Sequence, residues 1–227
     1  MISAANVFLM GVNLVHKNDD DPDTGRKPVR SYIPTWAPYE IETLARRGVN
    51  IVRLGLIWAA VEPQPGVYDD NYLRKIREYA DLCARNGIYI YLDMHQDLYS
   101  DLYGDGAPGW ATLARGQSLK RRFCLGEGYF TGEAVHKAYD NFWANAKAPD
   151  GIGLMDHFTA MWQHVAAFFA DCPNLFGFDL LNEPFPGSPG GTVFWTIINK
   201  MCEVLGKKWA KPFRFWTLPG RWGSRRN

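Results

Sequence analysis

The sequence predicts an α/β protein: a parallel sheet covered by helices, of the (β/α)8 TIM-barrel type. Three observations carry this. Apolar runs without polar alternation recur along the chain, as expected for strands buried on both faces. Amphipathic segments with helical spacing separate them. Polar residues stand in or just after nearly every run: Asn13, His16 and Lys17; Arg53; His95, Gln96 and Asp97; Asn182 and Glu183. Barrel sites collect at strand ends of this kind. A doubly wound sheet is the competing architecture. It would call for GxGxxG or GxxxxGK[ST] after the first strand, and neither motif stands there.

The elements follow in order. Val7 to Leu14 reads as a first strand. Ile41, Leu44 and Ala45 give helical spacing, stopped by Gly48. Asn50 to Leu56 is a second strand. Asn71 to Asn86 is a helix with Leu73, Ile76, Ala80 and Cys83 on one face, ended by Gly87. Ile88 to Met94 is a third strand. Residues 96–153 form a long loop rich in glycine and aromatics, with short helices. Met155, Phe158, Trp162, Val165 and Phe169 mark a strong amphipathic helix. A fourth strand starts at Leu175 and runs into Asn182. Ile197, Met201 and Leu205 indicate a last helix.

No internal repeat or low-complexity linker divides the chain, so residues 1–227 read as one domain. A barrel of this type needs about 250 residues or more. Here 227 residues are spent on four strand-helix units, which predicts a barrel truncated after about four of them. Residues 211–227 hold two prolines, two tryptophans and four arginines with little alternation, and do not read as a fifth strand. A half-barrel would expose two strand edges, which leaves open a homo-oligomer that closes across them.

Composition excludes some classes. A net charge of +1 provides no bulk attraction to nucleic acid or anionic membrane. No segment is long and apolar enough for a transmembrane span. The start, Met1 to Ala5, lacks the basic and apolar regions of a signal peptide, and the compartment stays open. The four cysteines, Cys83, Cys124, Cys172 and Cys202, show no CxxC spacing and are read as free thiols, with one bridged pair as the alternative in a secreted protein. His157 and His164 are read as surface or flank residues of the amphipathic helix. Without Cys or carboxylate at ligand spacing, no metal site is expected, and no motif calls for a cofactor. Trp110, Phe123, Tyr129 and Phe130 suit either a sugar or lipid platform or the long loop's own small core.

Several motifs together resemble a known family. Gly48-Val49-Asn50-Ile51-Val52-Arg53-Leu54, followed by Trp58 and Glu62-Pro63, is similar to strand 2 of the retaining glycosidases of glycoside hydrolase family 5. Leu180-Leu181-Asn182-Glu183-Pro184 resembles the strand-4 signature of that family. Asp93-Met94-His95-Gln96-Asp97, Gly104-Asp105-Gly106-Ala107-Pro108-Gly109-Trp110 and Gly11-Val12-Asn13-Leu14-Val15-His16-Lys17 resemble its endoglycoceramidase branch. The resemblance covers roughly residues 7–205.

It implies hydrolysis of a β-glycosidic bond in a carbohydrate or glycolipid substrate, without a cofactor. Glu183 would be the acid/base, a role that suits a carboxyl raised in pKa by a partly apolar site and a neighbouring carboxylate. Asn182 would donate to the sugar 2-hydroxyl. His95 and Asp97 would hydrogen-bond sugar hydroxyls, and Lys17 would reach the same sugar. A buried arginine needs a carboxylate partner; Arg53 would orient the nucleophile, or pair across the barrel bottom. Retention requires a second carboxyl about 5 Å from the first. After Glu183 the chain offers only Glu203, in a predicted helix, so the nucleophile is expected to be missing. Three functions remain open: an endoglycoceramidase-like enzyme, a β-glucosidase or endo-β-glucanase of the same family, and a catalytically incomplete fragment that binds sugar or a partner.

Overall fold

In the computed structural model, residues 8–17, 32–114 and 127–188 are described. They contain four strands in one parallel sheet of order β1-β2-β3-β4. The strands are β1 (Gly11–Leu14), β2 (Ile51–Ile57), β3 (Tyr89–His95) and β4 (Leu175–Asp179). The helices are α1 (Pro38–Arg46), α2 (Trp58–Val61), α3 (Asp70–Arg85), α4 (Glu127–Thr131), α5 (Glu133–Trp143) and α6 (Leu154–Phe168), with a 3-10 turn at Gly109–Ala111. Sequential strands are neighbours and run parallel, joined by helical crossovers, the construction of a (β/α) barrel wall.

Local chemistry accounts for the boundaries. Pro38 opens α1, and Glu40 Oε2 accepts from the Ala37 backbone N–H at 2.7 Å. Asp69 caps α3 by accepting from the amides of Asn71 and Tyr72. Gly87, at φ +69°, takes the left-handed turn after α3 that ends the helix and lets β3 begin.

Strand periodicity then sorts the side chains. Val52, Leu54 and Leu56 of β2 and Ile90, Leu92 and Met94 of β3 point one way and are fully buried in the core with Ile76, Phe158 and Trp162. Register places Gly55 beside Asp93 and Ile57 beside His95, so Arg53, Asp93 and His95 share the opposite face. Asp179 lies level with Asp93 and joins them there.

Four sequence expectations need correction. The observed β1 starts at Gly11; Phe8 and Met10 before it are exposed, and Val7 lies outside the described residues. β4 stops at Asp179, and Leu181 to Glu183 form a bend. The long loop is more ordered than its composition suggested, because α5 brings Val135, Ala138, Tyr139 and Phe142 into the core. His157 is no flank residue: it is 3% exposed, inside the protein. Cys83 and Cys172 are buried free thiols, and burial pushes the Cys83 thiol up to about 12. Cys124, Cys202, Phe123, Glu203, the helix expected around Ile197 to Leu205 and the tail 211–227 lie outside the described residues. No helix among the described residues is long and apolar enough to cross a membrane.

Candidate active site

The site forms where β3 and β4 end. Gln96, just past β3, ties the two together. Its amide nitrogen donates to the carbonyl oxygens of Asn182, at 2.8 Å, and Glu183, at 3.2 Å. Its Oε1 accepts from the Tyr99 N–H and the Tyr129 hydroxyl. The Asn182 side chain returns a hydrogen bond to the Gln96 carbonyl at 3.0 Å, and its N–H donates to the Met94 carbonyl. This lock holds Glu183 at φ +41°, in the left-handed region that a non-glycine residue rarely occupies. Leu98 and Tyr99, at +57° and +75°, share that conformation on the facing loop.

Beneath this lock, Arg53 binds three groups. It donates to Asp179 Oδ2 from Nε at 3.0 Å, to Asp93 Oδ1 at 2.8 Å and to Asn182 Oδ1 at 2.7 Å. Asp93 is fully buried. Burial raises its carboxyl above the usual range, against the pull of His95 and Arg53. Its second oxygen receives His95 Nδ1 at 2.9 Å.

His95 links the Arg53 group to Asp97. Burial opposes its charge, but the hydrogen bond to Asp93 and the nearby Asp97 carboxylate prevail and raise its pKa to about 9. The ring is therefore an imidazolium at neutral pH. Its Nε2 points toward Asp97 Oδ2 at 3.8 Å, too long for a hydrogen bond, and has no other partner among the described residues. Asp97 also pairs with the Lys17 ammonium. Burial works against its charge, yet His95 and Lys17 together hold its carboxyl below the usual value. Asp105, paired backbone to backbone with Asp97, is raised to about 6 by burial and by the Asp97 charge.

The structure thus gathers Lys17, His95 and Asp97 into one cluster, and Arg53, Asn182 and the Glu183 backbone into a second, with Asp93 connecting them. The Glu183 carboxylate is exposed, and no hydrogen bond holds it among the described residues. Those residues do not supply the apolar enclosure expected of an acid/base. Arg53 pairs with Asp93, Asp179 and Asn182 rather than crossing the barrel bottom. Sequence reasoning missed Asp93, Asp105 and Asp179 as members of the site, and gave Gln96 no role. Asp93, Gln96 and Asp105 stand in the motifs quoted above, and the alternation of β3 puts Asp93 on the same face as His95.

One donor atom each from His95, Asp97 and Asp105 lie within 4.8 Å of one another, a spacing that would suit a cation. The chemistry opposes it. A cation there would have to displace a proton from His95 and compete with the Lys17 ammonium that pairs with Asp97.

A (β/α) barrel wall bearing Asn182-Glu183 after its fourth strand defines the class, and comparison gives the family. The model of the cellulase family, glycosyl hydrolase family 5, matches residues 30–208. The chain belongs to this family. It is 34% identical over 188 residues to endoglycoceramidase I of Rhodococcus hoagii (strain 103S), covering 80% of this chain and 34% of that protein. It is 30% identical to an endoglycoceramidase of Cyanea nozakii, covering 79% and 39%. The solved structure of endo-glycoceramidase II from a Rhodococcus species, as its ganglioside GM3 complex, superposes with a TM-score of 0.73 at 30% identity, over 88% of this chain and 46% of that one. The chain spans between a third and a half of the length of these proteins.

Proposed function

We propose that the chain carries the sugar-binding and acid/base half of a retaining β-glycosidase that cleaves a glycolipid between its sugar and its lipid, as in endoglycoceramidases. One observation supports this above the others: Gln96 locks the strained Glu183 beside Asn182, next to the Lys17–Asp97–His95 cluster. In this reading Glu183 protonates the leaving oxygen and then deprotonates a water. Asn182 Oδ1 is engaged by Arg53 and one amide hydrogen goes to the Gln96 carbonyl, which leaves the other for the sugar 2-hydroxyl. Lys17 and the His95 imidazolium donate to hydroxyl oxygens, and Asp97 accepts from hydroxyl hydrogens. The second carboxyl of the retaining pair is assigned to no residue of this chain.

A simpler β-glucosidase is the second reading, favoured by similarity to a glucosylceramidase of Rhizopus delemar, 28% identical over 177 residues. The test uses a fluorescent β-glucoside and a glycosphingolipid as substrates, with lactose binding followed by calorimetry. Turnover of the glycosphingolipid alone, abolished by Glu183→Gln, supports the endoglycoceramidase reading and refutes the absence of a nucleophile from this chain. Glucoside turnover supports the second. Lactose binding without turnover leaves a sugar-binding module, and absence of any sugar binding refutes all three.

A further inference from the structure

Glu183 stands at φ +41° and directly before Pro184. A residue before proline is pushed toward extended backbone, which is far from this conformation. Backbone of this kind persists only where its surroundings over-determine it. Gln96 restrains the near side, through the carbonyls of Asn182 and Glu183. The far side, the chain that follows Glu183, calls for a restraint of its own.

That side rests on α5. His136, Tyr139, Asp140 and Trp143 are spaced at i, i+3, i+4 and i+7, so one face of the helix carries all four. Trp143 Nε1 donates to the Phe185 carbonyl at 2.8 Å. The Phe185 ring stacks on His136 with centroids 5.2 Å apart, and meets Tyr139 edge to face at 5.7 Å. Tyr129, on α4, closes this aromatic box at 5.4 Å. Asp140 then holds the next turn of chain. Its Oδ1 accepts from the Ser188 N–H at 2.9 Å, and its Oδ2 from the Ser188 hydroxyl at 2.7 Å. Gly187, at φ +89°, permits this approach, since a Cβ there would collide with Asp140 Oδ1.

We propose that this face of α5 is the seat of the acid/base loop, with Phe185 and Asp140 as positioning residues that fix where Glu183 stands. This rests on the glycosidase reading above for the role of Glu183, and adds what sets its place.

Two observations give the seat its consequence. The Glu183 carboxylate is exposed, and no hydrogen bond holds it among the described residues. Its backbone therefore decides what it can reach, and a proton donor misplaced by about 1 Å can cost on the order of a hundredfold in rate. Tyr129 also ties the two restraints together. Its ring touches Phe185, while its hydroxyl donates to Gln96 Oε1 at 3.1 Å. Glu183 is thus gripped before and after by one connected set of side chains.

NMR on the whole chain tests this without calling for turnover. At positive φ the amide and α hydrogens of a residue lie closer than in helix or strand, so the NOE between them is strong. Glu183 and Tyr99, which is at φ +75° on the facing loop, should both show it in the wild-type chain. Asp140→Asn leaves one acceptor oxygen for the two Ser188 donors. It should weaken the Glu183 NOE by about twofold or more and leave that of Tyr99 unchanged. Asp140 is half-buried, so this variant should fold. Phe185→Ala should act in the same way, and Phe185→Tyr, which keeps the ring, should retain the wild-type NOE. An unchanged Glu183 NOE in Asp140→Asn or in Phe185→Ala overturns the seat. So does a parallel loss at Tyr99, which would mark general loosening rather than positioning. Absence of lactose binding by the wild-type chain refutes the glycosidase reading and leaves the seat standing, because the NOE reads the backbone alone.

Discussion

Arg53 Nη2 donates to Asn182 Oδ1 at 2.7 Å, joining the middle of β2 to the residue beside Glu183. The same guanidinium neutralises Asp93, which has no access to solvent, and Asp179, which is half-buried. Charge placed this deep is tolerated because one guanidinium reaches both carboxylates: Nη2 donates to Asp93 Oδ1, and Nε and Nη2 converge on Asp179 Oδ2. Arg53 thus holds the strand faces together and fixes which way the Asn182 amide points.

Arg53→Met should therefore cost about 3–5 kcal/mol in unfolding free energy, since it removes one of the two cations on buried Asp93 and the cation of half-buried Asp179. Arg53→Lys should recover less than half, because one ammonium cannot reach Asp93, Asp179 and Asn182 together. Urea unfolding of the three proteins decides this. A loss below about 1 kcal/mol for the methionine variant would contradict it.

Gln96→Leu should destabilise by about 2–4 kcal/mol, because it strips partners from two carbonyl oxygens, the Tyr99 amide and the Tyr129 hydroxyl. Glu183 would also lose what holds it at positive φ. Hydrogen exchange at the Asn182 amide, which bonds to Met94, should accelerate more than exchange in the middle of β3. Equal protection in wild type and variant would show that the lock does not depend on Gln96.

The raised pKa of His95 predicts a slope in stability. The folded state binds its proton more tightly than the unfolded chain, where the pKa is 6.5. The stabilisation is complete below pH 6.5 and disappears as pH rises toward about 9, by at most about 3 kcal/mol. Asp105, also raised, loses stability in a lower window, between its ordinary 3.8 and about 6. His95→Gln should flatten the upper slope and move the lower window upward, because the His95 charge helps hold Asp105 down. Denaturant titrations in steps from below the ordinary Asp pKa of 3.8 to above about 9 measure both.

The strands, their order and the helices that pack on them were legible in the sequence because burial on both faces leaves a continuous apolar signature. The same signature misled at β1, where apolar Phe8 and Met10 are exposed. The polar residues at strand ends were legible as candidates, but their partners were not. Asp93 bonds Arg53 across forty positions, and Asp179 does so across one hundred and twenty-six. Local pattern does not encode such pairings. His157 shows the point most clearly: its carboxylates, Glu62 and Asp150, are distant or unremarkable in sequence but meet both ring nitrogens in space.

That ring joins α6 to the chain after α2 and to the segment before α6. Glu62 is fully buried and accepts from Trp58 Nε1, the Gly66 amide and His157. His157→Phe preserves ring packing against Trp110 but removes the bridge, and should cost about 2–4 kcal/mol. Combining it with Glu62→Gln should cost less than the sum of the two by at least about 1 kcal/mol, the mark of direct coupling. Strict additivity would mean that the two groups do not interact in solution.

Gly104→Ala should break the loop that carries Asp97. A Cβ there would stand 2.4 Å from the Asp97 carbonyl oxygen and 3.1 Å from its carbonyl carbon. Both obstacles are backbone, so no rotamer change relieves them. Asp97 and Asp105 would have to separate, although their amides bond to each other's carbonyls at 3.1 Å. The expected loss is about 2 kcal/mol or more, with weaker lactose binding because the Lys17–Asp97 pair moves. Gly109→Ala on the same loop is the control: its added carbon would meet the Leu102 side chain at 3.6 Å and Asp101 Oδ1 at 4.0 Å, both ordinary contacts, and should change stability by less than about 0.5 kcal/mol. If both variants behaved like the control, the tight packing of this loop on Asp97 would be refuted, and with it the physical reason for a glycine before Asp105.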